Sequence, residues 1–569
     1  MKKGLILLSW LIFVFILILP PASLTASRRP VVAKRGMVVS SSRIASEVGR
    51  DILKKGGNAV DAAVATSFAL AVTYPQAGNI GGGGFMLIRC AETGEVIFID
   101  YREKAPAGAS EDMYLDERGE VIPEASSRGY LAVGVPGTVA GLALALERYG
   151  TMSLPQVMAP AIRLAEDGFT LDRFLARSLA RHAEDFARFP GTAEVFLKND
   201  GSPYAEGELF RQPELARTLR LISAKGPDVF YKGEIAALIV DEMKRGGGLI
   251  THNDLAGYRA VVRKPVVGSY RGYTVYSASP PSSGGICLIE LLNILENYDL
   301  KGMGFGSSAI ISLMTEAEKL VYADRAEFLG DPDFVNMPVS GLISKRYASS
   351  LRKRIDLSRA TPGNMVSHGN PWAFEGEETT HFSVVDDKGN AVSSTYTLNG
   401  SYGSKVVVDS AGFLLNNEMD DFAIKPGYPN IYGLVGGEAN AIAPGKRMLS
   451  SMTPTIISRD GKLFMVIGSP GGSKIITTVL QVILNVIDHG MNIQQAIDAP
   501  RVHHQWLPDL LYVEPFAIPA DVREALVSRG YMIKPDSSIG DAQGILIDWE
   551  NGELTAGSDP RGNGAAVGY

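Results

Sequence analysis

Midway along the chain, an aperiodic stretch runs without a break into a strand that opens on two threonines. The stretch, Arg359 to Glu378, is rich in Pro, Gly, Asn and Glu and carries no helical or alternating pattern, so it reads as a loop or linker. The segment after it, Thr379-Thr380-His381-Phe382-Ser383-Val384-Val385, is rich in β-branched and aromatic residues. A turn at Asp387-Lys388-Gly389-Asn390 and a second β-rich run, Ala391 to Leu398, complete a hairpin. If Asp386 and Ala391 flank the turn, the register sets Thr379 or Thr380 opposite Thr397, give or take one residue. A hydroxyl inside a chain has no base of its own. A threonine at a chain's N-terminus has one, its own α-amine, which titrates near ~7.7–8. A cut before Thr379 would therefore turn a weak nucleophile into a useful one, although a Thr-Thr pair opening a strand is more often simple β-propensity.

Other nucleophiles and metals find little support. There is no GxSxG elbow. Ser350-Leu351-Arg352-Lys353 has SxxK spacing but lies in a highly charged, surface-like helix without its partner motifs. The seven histidines form neither HExxH nor an i, i+4 pair, and His503-His504 reads as packing. A net charge of −7 gives no basic face for nucleic acid. Two cysteines cannot form a disulfide scaffold, and Cys90 and Cys287 read as free buried thiols rather than a pair. Four consecutive glycines, Gly81 to Gly84, lack the Lys-Ser/Thr of a phosphate loop, and close backbone packing is the better reading.

Lys2 and Lys3, an apolar run from Gly4 to Leu19, Pro20-Pro21 and small residues up to Ala26 form a signal-peptide pattern. The run is shorter than the roughly 20 residues of a spanning helix. Export to a periplasmic or extracellular location is expected, with an uncleaved anchor as the alternative. Length alone suggests about three or four domains. Ala59–Val72 reads as a buried core helix despite Asp61. Thr151–Gly168, Gln212–Lys225 and Gly233–Arg245 read as amphipathic helices. Near the C-terminus, a short strand at Phe464–Ile467, a turn at Ser469-Pro470-Gly471-Gly472-Ser473 and a helix from Lys474 to Asp488 follow one another. A glycine pair at a helix start presents free N–H groups toward an anion, as an oxyanion hole does. A plain strand–turn–helix corner is the simpler alternative.

The run Thr379 to Asp386, followed by Thr395-Tyr396-Thr397-Leu398-Asn399, strongly resembles the γ-glutamyltransferases, or glutathione hydrolases. Matching motifs extend from Gly78-Asn79-Ile80-Gly81 through Asp100-Tyr101-Arg102-Glu103, Gly134 to Thr138 and Pro280 to Gly285. They continue through Leu415 to Phe422, Ser450 to Thr455, Gly468 to Gly472, Ala499 to Trp506 and Asp559-Pro560-Arg561.

This resemblance implies an α+β N-terminal nucleophile hydrolase, a four-layer αββα sandwich built from both chains of a self-cleaved precursor. Residues 1–26 would be the signal peptide, 27–378 the large chain and 379–569 the small chain, in one intertwined domain. Cleavage would fall between Glu378 and Thr379, and the two chains would stay together as a heterodimer. Thr379 would be the nucleophile, with Thr397 beside it. By the same resemblance, Arg102, with Ser450 and Ser451, would hold the α-carboxylate of a γ-glutamyl group. Asn399, Glu418 and Asp421 would hold its α-ammonium, and Gly471 and Gly472 the oxyanion. Glutathione and related γ-glutamyl compounds would be donors, and water, amino acids or peptides the acceptors, with no cofactor or metal. Some family members carry Gln where this chain has Glu418, a difference that adds charge. Pro426 to Gly437, with Tyr432, matches a lid loop and favours small donors. The sequon Asn399-Gly400-Ser401 falls on the expected site and reads as chance. The rival readings are an acylase of the same family acting on another amide, and a non-catalytic exported γ-glutamyl-peptide-binding protein.

Overall fold

A computed structural model of the chain describes residues 27–374 and 385–569. The signal-peptide pattern, the proposed cleavage pair Glu378-Thr379 and the strand that Thr379 opens lie outside the described residues. Among the described residues, no helix is long and apolar enough to cross a membrane.

Two antiparallel sheets carry the architecture. The smaller runs, in order, Ala391–Thr397, Gly83–Arg89, Val96–Tyr101 and Val261–Arg263. The larger runs Val31–Ala33, Glu553–Ser558, Gln543–Asp548, Lys462–Gly468, Thr455–Arg459, Tyr273–Ser277 and Val266–Tyr270. Gly83–Arg89 and Val96–Tyr101 are buried along their whole length, as their near-continuous apolar sequence demands. The sheets meet where Ser393 Oγ donates to the Ile467 carbonyl at 3.4 Å. Helices Ala59–Thr73 and Thr138–Tyr149 pack on the smaller sheet. Helices Gly284–Leu295, Ile475–Ile487 and Ile493–Asp498 pack on the larger. Among the described residues, the apolar core is one large cluster with a small satellite rather than three or four separate cores.

The expected helices form with small shifts of their ends: Leu154–Asp167, Pro213–Lys225 and Glu234–Gly246. Ala59–Thr73 is a core helix, and its polar Asp61 is satisfied by the backbone N–H groups of Asn58, Thr151 and Met152 and the hydroxyl of Thr151. The glycine run is close packing. A Cβ on Gly82 would stand 2.1 Å from the Thr397 carbonyl oxygen, and one on Gly81 would stand 2.2 Å from that of Leu414. Cys90 is half-buried and Cys287 buried, and the two are not joined.

Two expectations need correction. The hairpin turn closes between Asp386 and Asn390, one residue tighter than the assumed Asp386–Ala391 pair. The Asp386 N–H donates to the Asn390 carbonyl at 2.9 Å, and the Asp386 carboxylate gathers the N–H groups of Lys388 and Asn390. That Asx-type network is what tightens the loop. The linker, in its described part, is a loop but not a free one. Gly363 N–H donates to Asp509 at 2.7 Å, Gly369 N–H to Asp324 at 2.7 Å, and Lys319 Nζ to the Thr361 carbonyl at 2.7 Å.

Candidate active site

The strand Ala391–Thr397 delivers Thr397 to the end of the smaller sheet, opposite Gly83. The Thr397 carbonyl accepts from Asn79 Nδ2 at 2.9 Å, while Asn79 Oδ1 accepts from the Gly82 N–H and the Thr138 hydroxyl. Three motifs far apart in sequence thus close on one strand end. Thr397 Oγ1 accepts from the Asn399 N–H at 2.8 Å, which fixes the turn that follows.

Beside it lies a cavity of about 350 Å³. Arg102, Thr397, Asn399, Glu418, Asp421, Tyr432, Ser450, Ser451, Gly471 and Gly472 all line it. Every site residue named from the sequence that falls within the described residues is therefore at this one place. Glu378 and Thr379 lie outside them.

One end of the cavity is charged. Arg102 leaves the end of Val96–Tyr101 fully buried. Its guanidinium pairs with Glu418 and donates through Nη2 to Asp421 at 2.6 Å and through Nε to the Met448 carbonyl at 3.2 Å. Glu103 lies 3.8 Å from the same guanidinium, and neither of its carboxyl oxygens has a hydrogen-bond partner. Burial, then the charge of Glu418, pushes the Glu103 carboxyl well above the ordinary carboxylate range, against the pull of Arg102. Burial also pushes Glu418 up to about 8, against the pull of Arg102. One buried cation thus faces three carboxyl groups, and Glu418 keeps one oxygen without a partner. Such a site is matched to a ligand carrying both charges, because a zwitterion can exchange with the internal ion pairs and leave no buried charge uncompensated.

Ser450 and Ser451 sit at a junction of two motifs. The Ser283 N–H donates to the Ser450 carbonyl at 2.9 Å, and the Ser450 N–H to the Pro281 carbonyl at 2.9 Å. Behind them, Arg325 donates to Ser283 Oγ at 2.9 Å and to Ser451 Oγ at 3.1 Å.

At the other end, Gly471-Gly472 precede the helix Ile475–Ile487 through a short 3₁₀ turn, Gly472–Lys474. Neither glycine N–H donates a hydrogen bond among the described residues. Gly472 has φ +57°, and a Cβ there would stand 2.3 Å from the Tyr432 ring, so only glycine fits. Tyr432 in turn donates to the Asn399 carbonyl at 2.6 Å. The segment that matches the family's lid loop is tied down at its base: Asn430 Nδ2 donates to Asp421 at 3.0 Å and the Ile431 N–H to Asp420 at 2.9 Å.

Sequence reasoning missed the supports of this turn. Gln505 accepts from Ser473 Oγ at 2.7 Å and donates to the Tyr432 carbonyl at 3.1 Å, so it joins the glycine turn to the lid. His503 contacts Gln505 at 2.9 Å and Thr477 at 2.8 Å, and burial pushes it down to about 3, so it is a neutral relay of hydrogen bonds rather than mere packing. The signal was their place in the Ala499–Trp506 motif. Their reach to the site needed the fold.

The gamma-glutamyltranspeptidase family model matches residues 45–569. The glutathione hydrolase proenzyme of Escherichia coli (strain K12) is 52% identical over 532 residues, covering 94% of this chain and 91% of that one. Among solved structures, cephalosporin acylase from Bacillus halodurans superposes with a TM-score of 0.84 at 29% identity, over 97% of this chain and 99% of that one. Gamma-glutamyltranspeptidase from Helicobacter pylori matches 61% of this chain and 99% of its own at 48% identity, with a TM-score of 0.59. By sequence along nearly its whole length and by its mixed helix-and-sheet fold, the chain belongs to the gamma-glutamyltranspeptidase family of enzymes.

Proposed function

We propose that the chain is an exported, autoprocessed γ-glutamyltransferase and glutathione hydrolase. The observation that carries this reading is the cavity itself: a buried arginine among carboxyl groups at one end and two undonated glycine N–H groups at the other. In this reading Thr379 Oγ attacks the Glu378 carbonyl, the acyl group moves from nitrogen to oxygen, and water releases chain 27–378 from chain 379–569. The freed α-amine of Thr379 then serves as its base. The tight closure of the turn at Asp386–Asn390 supports the sequence-based register that sets Thr379 opposite Thr397. Arg102, Ser450 and Ser451 take the donor's α-carboxylate, and Asn399, Glu418 and Asp421 take its ammonium. As Thr379 Oγ adds to the γ-carbonyl, the oxyanion accepts from the N–H groups of Gly471 and Gly472. The amine leaves with a proton, and water or another amine takes the γ-glutamyl group. The two sheets, with helices on their outer faces, support a four-layer αββα arrangement. Residues 1–26 act as the export signal.

The likeness to cephalosporin acylase favours a second reading, cleavage of a different amide. The paired charges around Arg102 weigh against it, since an acyl group that drew Arg102 away with a carboxylate but brought no ammonium would leave Glu418 and Asp421 without a cation. Intact mass before and after incubation, with Thr379→Ala as control, tests the proposal. Wild type should give two chains divided at Glu378/Thr379 and release cysteinylglycine from glutathione, and the variant should stay whole. A single folded wild-type chain that binds γ-glutamyl peptides without turnover would instead establish the binding-protein reading. Two chains that cleave another amide but not glutathione would establish the acylase.

A further inference from the structure

A second arginine stands behind the serine wall of the cavity, and no carboxylate pairs with it. Arg325, from the helix Ser308–Phe328, is buried. Its Nε donates to Ser283 Oγ at 2.9 Å and its Nη2 to Ser451 Oγ at 3.1 Å, and both acceptors are neutral hydroxyls. These bonds use two of the five N–H groups of a guanidinium. Burial pulls its ionisation below the ordinary arginine range, and the groups that work the other way are Cys287, Tyr322 and, last, Asp421. Burial pushes the Cys287 thiol and the Tyr322 phenol up, so neither is an anion at neutral pH. Asp421 gives its two carboxylate oxygens to Arg102 and Asn430 instead. A buried cation without a paired carboxylate is costly, and the cavity in front of it is where an anion can arrive.

The hydroxyls relay that charge. A serine hydroxyl has one proton to give and lone pairs to receive with. Ser283 receives from Arg325 and gives its proton to the Ser450 carbonyl at 2.7 Å. Ser451 also receives from Arg325, but it gives its proton to no group among the described residues, and it lines the cavity. A lone pair held by a cation polarises the hydroxyl toward donating. Arg102 is engaged differently: Glu418, Asp421 and the Met448 carbonyl already occupy its guanidinium.

We propose that Arg325 is a positioning residue for donor recognition. Acting through Ser451, it fixes that hydroxyl as a donor to the α-carboxylate of the γ-glutamyl group and sets a second positive charge behind it. The assignment rests on the γ-glutamyl-transfer reading above and deepens it. It makes Arg325 a determinant of specificity, since an acyl chain without the α-carboxylate brings this guanidinium no anion.

The test measures inhibition of γ-glutamyl anilide hydrolysis by L-glutamate and by its α-amide, which lacks only the α-carboxylate charge. Arg325→Gln should raise the inhibition constant of glutamate about ten-fold or more, and that of the amide by less than about two-fold. It should raise the anilide's KM more than it lowers kcat. In a Ser451→Ala background the same change should add no more than about three-fold, because the route is already cut. Arg325→Lys keeps the charge without the planar fork, and should weaken glutamate by less than Arg325→Gln does while sparing the amide. Equal losses for acid and amide, or a full Arg325→Gln effect in Ser451→Ala, overturn the proposal. Should Arg325→Gln not yield folded, self-cleaved enzyme, Arg325→Lys decides on the same split between acid and amide. Wild type that fails to cleave the anilide overturns the parent reading instead, so the two failures are separable.

Discussion

At the scale of single residues, the site is held by positions where one atom more or one charge fewer changes the outcome. Gly472 is the steric case. Its left-handed backbone and the Tyr432 ring against its α-carbon leave no room for a methyl group. Gly472→Ala should displace Tyr432 or tilt the N–H and lower kcat for a γ-glutamyl anilide by about 100-fold, the cost of losing an oxyanion donor, together with a lowered unfolding midpoint from the strained backbone. Glu418 is the electrostatic case. Its carboxyl titrates near 8 when folded against an ordinary 4.5, so it is raised. A raised carboxyl contributes stability that is full below about 4.5 and is lost as pH climbs through about 8. Glu418→Gln cannot titrate, so the variant should gain thermal midpoint relative to wild type between pH 5 and pH 9. The same variant should lose the improvement in donor KM that wild type shows as Glu418 ionises and can hold the donor's ammonium. Thermal melts and KM across that range check both.

At the scale of elements, the sequence showed what periodicity and motif can show. Helices with apolar stripes, the strand Ala391–Thr397 and the glycine turn were legible because local pattern fixes them. The helix Ser308–Phe328 was not. It carries five charged residues, Glu316, Glu318, Lys319, Asp324 and Arg325, that composition alone would leave in solvent, yet all five are buried. Each has a distant partner no local pattern reveals: Glu316 accepts from the Tyr531 hydroxyl, Glu318 accepts the His504 N–H, Arg325 reaches Ser451, and Asp324 and Lys319 grip the linker. Tyr322 of the same helix donates to the Ser473 carbonyl at 2.5 Å, so one polar rod braces the serine junction, the glycine turn and the linker. Of the site residues, the threonines and the glycine pair were candidates from local pattern, whereas Arg102, Asn399, Glu418, Asp421, Tyr432, Ser450 and Ser451 were legible only through the family motifs, since the chain brings them together from distant segments. Asp509 tests the linker's anchorage. It accepts from Gly363 and contacts His504 and Lys319. Asp509→Ala should cost about 1–3 kcal/mol in denaturant unfolding by taking the acceptor from the Gly363 N–H and His504.

At the scale of the whole molecule, both sheets are built from segments on either side of residue 378. Ala391–Thr397 lies against Gly83–Arg89, and Thr455–Arg459 against Tyr273–Ser277. A molecule cut at Glu378/Thr379 should therefore run as one particle in gel filtration and as two only after denaturation. The same interleaving reaches the ends of the described chain. Val31–Ala33 pairs with Glu553–Ser558, Met37–Ser40 pairs with Ala565–Gly568, and the Tyr569 carbonyl accepts from the N–H groups of Lys34 and Arg35. During synthesis at ~5–20 residues per second, roughly half a minute to two minutes separate the emergence of these partners. The earliest strands must wait on the ribosome with open edges while everything between them is made. Closure of these two strand pairs is thus set to come only when translation is nearly over, and a chain that stalls short of its last strands offers those edges to chaperones or to its neighbours.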